Sequence, residues 1–178
     1  SLIQIDPEGS AIGRNRGVDI GIVGDISEIA SQLTNEASKH SWDNSDWLSI
    51  LSDEQTKQKK SLEESSESST PMHASYVHKT VAKHLNPDDI LVFDGGDFCH
   101  YGRAYHEANT PKSYWYLPPS GMLGQALPTA MAAKIAFPDR RVIMFTGDGS
   151  FGFNGMEYDT AVRHNLPIMG ILGNDSTW

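Results

Sequence analysis

Apolar residues fall along the chain in short continuous runs, separated by stretches where they return every three or four positions. The two rhythms predict strands alternating with helices. Leu2-Ile3-Gln4-Ile5 is the first strand-like run and stops at the turn-rich Asp6-Pro7-Glu8-Gly9. Val18 to Val23 reads as a second strand. Asp25, with Glu28 three residues on, reads as a capping box that opens a helix to about Ala37. Two strands and one helix cannot bury their own faces, so residues 1–40 read as the tail of a larger, Rossmann-like α/β domain in a chain cut at its amino end. Trp42, Trp47, Leu48 and Leu51 mark a helical edge. It fades through Lys57, Lys59 and Lys60 into Glu63-Glu64-Ser65-Ser66-Glu67-Ser68-Ser69, so residues 41–70 read as a helical, polar linker.

From residue 71 the alternation becomes regular. Thr70-Pro71 predicts a helix start with proline at the first helical position. Met72, Tyr76, Val77, Val81 and Leu85 continue that helix to Asn86-Pro87. Ile90-Leu91-Val92-Phe93 is a strand that opens into Asp94-Gly95-Gly96-Asp97. Gly121 to Ala136 predicts a small-residue helix, Arg141 to Thr146 a strand, Asn154 to His164 a helix and Pro167 to Gly173 a last strand. Strands apolar at every position, separated by helices, indicate an α/β fold with a parallel sheet and helices on both faces. Ligands in such folds bind at the carboxyl ends of the strands.

Composition narrows the function classes. A hydrophobic fraction of 38% with 16 glycines permits one sizeable core. The lone Cys99 excludes a disulfide-stapled scaffold and a cysteine-based zinc cluster. No apolar run approaches the ~20 residues that span a bilayer. A net charge of −9 disfavours nonspecific nucleic-acid binding, which needs basic surface. A soluble, cytoplasmic protein acting on small molecules is the expectation, without a nucleic acid or membrane partner.

The chemistry gathers at two strand ends. Gly147-Asp148-Gly149-Ser150 follows one buried strand and precedes a helix, where glycines admit a close ligand and free amides suit an anion. Gly173-Asn174-Asp175-Ser176 ends the next strand, with Asp175 lying 27 positions after Asp148. One strand–helix–strand unit of that length puts both carboxylates on the same edge of adjacent strands. Paired oxygen ligands suit a hard cation such as Mg²⁺ shared with a diphosphate. An EF-hand loop from Asp148 fails because its sixth position is Phe153, and no Walker lysine or GxGxxG pattern is present.

The stretch GDGSFGFNGMEYDTAVRHNLPIMGILGND closely resembles the thiamine-diphosphate-binding motif of the acetohydroxyacid (acetolactate) synthase superfamily. The resemblance extends over residues 70–178 as most of the diphosphate-binding domain, expected to be truncated at its carboxyl end, and over 1–40 (IQIDPE…IGRNRGVDIGIVGD) as the end of the central domain. It implies that Asp148 and Asp175 ligate Mg²⁺ through their carboxylates. Asp175 stands where many relatives carry asparagine. Thr177 would add a backbone carbonyl, and Gly147, Gly149 and Ser150 would face the diphosphate. Gly121-Met122-Leu123-Gly124 resembles the family's Gly-x-(large apolar)-Gly segment. There Leu123 would buttress the V-shaped cofactor and the Gly121 carbonyl would accept from the aminopyrimidine. Asp94-Gly95-Gly96-Asp97-Phe98 resembles a loop that meets the cofactor from the other side, through Gly96 and Asp97.

The resemblance implies cleavage and ligation of carbon–carbon bonds in 2-oxo acids through an enamine-carbanion on the cofactor. Acetolactate formation is the leading outcome. GNDSTW and DGGDF also look like the 2-hydroxyacyl-CoA lyase and oxalyl-CoA decarboxylase subgroup, with acyl-CoA substrates, and a non-catalytic homologue is the third reading. The family's activating glutamate lies on another domain, and nothing in residues 1–178 matches it, so the chain alone is expected to be inactive. A homodimer or homotetramer with the site at a subunit interface is implied. FAD or ADP in the full-length protein, through 1–40, rests on analogy alone. Cys99, His100 and His106 lack metal-ligand spacing. Arg163 and His164 suit a helix end. Met144, Met156 and Met169 read as core, and Trp115 and Tyr116 as candidate lining of a substrate entrance.

Overall fold

A computed structural model of the chain describes residues 1–67, 70–116 and 120–176. Two compact units divide it, Ser1–Glu54 and Gln55–Trp178. In the first, β1 (Ile3–Asp6) and β2 (Ile20–Val23) pair in parallel with Ile3 opposite Ile20. Helix α1 (Ile26–Ala37) starts where the sequence predicts it. The Asp25 carboxylate accepts from the Ser27 and Glu28 amides at 2.9 and 3.0 Å, satisfying donors that a helix start leaves open. No residue of this unit is fully buried, and Ile3, Ile20, Val23 and Ile26 are each at least half exposed. Helix α2 (Ser45–Ser65) extends through the lysine and glutamate stretch, farther than the fading pattern predicts.

The second unit contains α3 (Ala74–Ala82), β3 (Ile90–Phe93), α4 (Asp97–Tyr105), β4 (Tyr114–Trp115), α5 (Ala126–Ala136), β5 (Val142–Gly147), α6 (Asp148–Asn154), α7 (Glu157–Arg163) and β6 (Ile168–Gly173). Its sheet runs β4-β3-β5-β6 with every neighbouring pair parallel. Strand alternation divides the core. Ile90, Val92, Val142 and Met144 pack with Ala126, Leu127, Ala130 and Ala133 of α5, and Tyr158 of α7 joins them. Leu91, Phe93, Ile143 and Phe145 point the other way, onto Cys99 and Phe98 of α4 and Val81 of α3. Helices therefore cover both faces, which is why these strands are apolar at successive positions.

Several boundaries differ from the sequence expectations. Helix α3 begins at Ala74, not at Pro71, because His73 is the cap, its Nδ1 accepting from the Ser75 amide at 3.3 Å. The helix expected from Gly121 begins at Ala126, since Gly121 and Gly124 hold φ of +66° and +82°, outside any right-handed helix. The helix expected over 154–164 is α7, Glu157–Arg163, and a further short helix, α6, precedes it, starting directly at Asp148. Helix α4 occupies what reads as a glycine-rich loop, with Gly96 at φ +97° making the turn into it. Of the three methionines read as core, only Met144 is buried; Met156 and Met169 lie exposed on the outer surface.

A histidine pair sits inside the α3–α4 layer. His78 Nε2 lies 2.8 Å from the Phe98 carbonyl, so that nitrogen carries the proton. His78 Nδ1 then accepts from His106 Nε2 at 3.1 Å, leaving His106 Nδ1 buried without a partner among the described residues. Burial holds both rings below the ordinary histidine value; His106, further lowered by His78, falls to about 4.

Two predictions follow from this packing. A Cβ at Gly102 would lie 2.6 Å from the Phe93 ring and 2.9 Å from His78 Cε1, whereas one at Gly152 meets nothing within 4 Å. Gly102→Ala should therefore lower stability by about 1–3 kcal/mol, and Gly152→Ala should raise it by about 0.4–1 kcal/mol, both read as urea midpoints at constant slope. Neutral buried histidines with depressed values also make the unfolded chain the better proton binder below about pH 6.5. Stability should fall as the pH drops from there through 4, by at most about 1.4 kcal/mol per pH unit for each ring. His106→Leu should flatten the profile in urea melts at pH 7 and pH 5.

Candidate functional site

The carboxyl edge of the second unit's sheet collects the polar residues that its strands lack. Gly147 is in register with Gly173, so the loops leaving β5 and β6 start side by side. Asp148 Oδ1 accepts from the Gly149 amide at 2.9 Å, and its Oδ2 accepts from the Ser176 amide at 3.1 Å. Asn174 Oδ1 accepts from the same Ser176 amide at 2.9 Å. The segment carrying Asp175 is thereby drawn to Asp148, on one edge of adjacent strands. Asp175 is exposed and Asp148 half-buried. Two side-chain oxygens at neighbouring strand ends have the donor chemistry that a hard divalent cation takes. Thr177 lies outside the described residues. Among those described, no cluster of three or more histidine, cysteine or acidic side chains is poised around a metal.

The loop after β3 completes this edge. Asp94 is 1% exposed, and its carboxylate accepts from the amides of Gly95, Gly124 and Ala126 at 2.9, 3.0 and 3.1 Å. Gly124 in turn gives its carbonyl to Asn154 Nδ2 at 2.7 Å. Ser150 is buried, with its hydroxyl donating to the Gly95 carbonyl at 3.4 Å. A small cleft lined by Asp94, Gly124, Met144, Thr146, Ser150 and Asn154 lies at this junction. Gly121 and Leu123 sit on the exposed part of the turn before Gly124, and Leu123 is 37% exposed. Gly96 and Asp97 are exposed at the start of α4, and among the described residues, chain neighbours aside, no atom stands within 4 Å of where a Cβ would project from Gly96 or Gly121. Open space over two left-handed glycines and a row of oxygen donors suits an anionic ligand carrying a metal.

Asp94 and Asn154 are the residues that sequence reasoning passed over. The available signal is an aspartate directly after a wholly apolar strand: where its carboxylate is buried, it needs donors. Cys99 is fully buried. Its Sγ donates to the Phe145 carbonyl at 3.3 Å, and burial, then the Asp94 charge, push the thiol up to about 12. Tyr116 pairs with His100 Nδ1 at 2.9 Å, under the Arg103 guanidinium. A roomier cavity of about 200 Å³ lies at the opposite, amino edge of the sheet, beside Asp89, His106 and Ser113. It lacks the glycine turns and strand-end acids, so the carboxyl edge is the candidate site.

Comparison with known proteins bears on the family. Residues 94–178 match the family described as thiamine pyrophosphate enzyme, C-terminal TPP binding domain. The chain is 34% identical to a probable acetolactate synthase of Mycobacterium bovis over 179 residues, covering 99% of the chain and 32% of that protein. It is 32% identical to 2-hydroxyacyl-CoA lyase 2 of Homo sapiens over 161 residues, 88% of the chain and 25% of the relative. It is 31% identical to 2-hydroxyacyl-CoA lyase 1 of Mus musculus over 183 residues, 98% of the chain and 32% of the relative. The chain thus spans between a quarter and a third of the length of these relatives. Residues 94–178 thus belong to the thiamine pyrophosphate enzyme family's C-terminal TPP binding domain, on a parallel sheet with helices on both faces, and nearly the whole chain is similar to acetolactate synthases and 2-hydroxyacyl-CoA lyases.

Proposed function

We propose that the carboxyl edge holds thiamine diphosphate through a Mg²⁺ ion, within a carboligase that resembles acetolactate synthase. The observation that carries the reading is the convergence of Asp148 and the Asp175 segment at the ends of two paired strands. Asp148 and Asp175 would supply side-chain oxygens to the metal, and Thr177 a carbonyl. Gly147 and Gly149 would let the backbone approach the diphosphate, with Ser150 contributing through its amide because its hydroxyl is turned to Gly95. Gly96 and Asp97 would close the site from α4. When bound, thiamine diphosphate supplies a thiazolium carbon that adds to a carbonyl and renders the adjacent carbon–carbon bond cleavable. The chain's own task is orientation: Leu123 would brace the two rings from beneath, and the Gly121 carbonyl would accept from the aminopyrimidine nitrogen, holding the proton-accepting group against that carbon.

A 2-hydroxyacyl-CoA lyase is the second reading. It is favoured by Asp175, where an asparagine pair is common, and by the lyases among the relatives. The two readings share one cofactor site and differ in substrate. An activating glutamate, which the family resemblance implies, would have to reach the cofactor from outside residues 1–178.

Asp148→Ala in the complete protein should reduce Mg²⁺-dependent thiamine diphosphate binding at least a hundredfold in calorimetric titration. Asp175→Ala should do the same, and Asp175→Asn should retain binding because it keeps an oxygen donor. Undiminished binding in both alanine variants would contradict the site. With pyruvate, the complete protein should form acetolactate; cleavage of a 2-hydroxyacyl-CoA without acetolactate would favour the lyase. The 178-residue chain alone, given cofactor, Mg²⁺ and pyruvate, should yield no product.

A further inference from the structure

The Asp94 carboxylate spends little of its bonding on its own loop. Of the three amides it receives, Gly124 at 3.0 Å and Ala126 at 3.1 Å belong to the turn that leads into α5. The opposite side of the same residue is also held, because the Gly124 carbonyl accepts from Asn154 Nδ2 at 2.7 Å. Gly124 itself has φ +82°, and a Cβ there would lie 2.5 Å from Phe153 Cβ, so its backbone is pressed against the end of α6. One glycine is thus gripped by a side chain from the end of β3 and another from the end of α6. Gly121, Met122 and Leu123, just before it, are exposed and carry no comparable burial. A buried carboxylate receiving only main-chain amides fixes their positions strongly, because each such bond is charge-assisted and water cannot replace it.

We propose that Asp94 and Asn154 are positioning residues that set the height of the Gly121–Leu123 turn beneath the rings of the cofactor. They act through Gly124 and touch no ligand. The inference rests on the cofactor reading above and adds a division of labour to it. Asp148 and Asp175 govern the diphosphate and its metal, whereas Asp94 and Asn154 govern only the affinity that the rings contribute. A residue that merely stabilised the fold would weaken both ligand halves together.

The test uses the complete protein and two probes, thiamine diphosphate with Mg²⁺ and inorganic diphosphate with Mg²⁺, the second measured by displacement of the first. The quantity read is the preference for the vitamin over bare diphosphate. Asp94→Asn keeps the shape but turns an amide group toward main-chain donors, and should cut that preference about ten- to a hundredfold. Asn154→Ala should cut it several-fold, and diphosphate affinity should stay within about twofold in both. Equal weakening of both probes, or no change in either, would overturn the assignment. Should Asp94→Asn not fold, the half-exposed Asn154 decides the matter alone. If Asp148→Ala abolishes binding while Asp94→Asn and Asn154→Ala leave the preference intact, only the positioning role falls. If the unaltered protein does not prefer the vitamin to diphosphate, the cofactor reading falls and takes this inference with it.

Discussion

The pairing of β3 with β5 is the constraint from which the site follows. Ile90 to Phe93 and Val142 to Thr146 are buried throughout, sandwiched between helices on either side. Strands sealed in this way satisfy their backbone with each other and take apolar side chains until close to their carboxyl ends, where Thr146 is the first polar one. Chemistry is therefore displaced to the edge. The first residue past β3 is Asp94 and the first past β5 is Asp148, both brought to the same edge by parallel register. Adding β6 in register with β5 puts Asn174 and Asp175 beside them.

Polar groups at that edge are coupled by hydrogen bonds between side chains and the main chain. Asp94 ties the β3 loop to the turn before α5, Asn154 ties that turn to α6, Ser150 ties α6 back to Gly95, and Asp148 ties α6 to the loop after β6. Four segments distant in sequence thus hold one another. The glycines among them serve different ends: Gly96 and Gly121 open space at left-handed φ, while Gly124 permits a close approach to Phe153.

The sheet was legible because its signal is local. Runs such as Val-Ile-Met-Phe state both strand and burial, and the capping aspartate of α1 states its own start. The side-by-side start of the loops after β5 and β6 was legible because one strand–helix–strand unit has a fixed geometry. What stayed hidden depends on contacts between distant residues. The start of α5 is set by Asp94, 32 residues earlier, so the small-residue run from Gly121 reads as helix when taken alone. Helix α4 follows from a turn at Gly96 that composition alone reads as loop. Met156 and Met169 have the apolar character of core residues yet lie on surface that this unit leaves uncovered.

The central claim is that acids at the ends of β5 and β6 grip one metal between them. Its most direct measurement is a crystal structure of the complete protein grown with thiamine diphosphate and Mn²⁺, read at the manganese absorption edge. A single anomalous peak about 2.1 Å from carboxylate oxygens of both Asp148 and Asp175 is the expected result. A peak bound elsewhere, or carboxylates turned to opposite sides of the sheet edge, would contradict it.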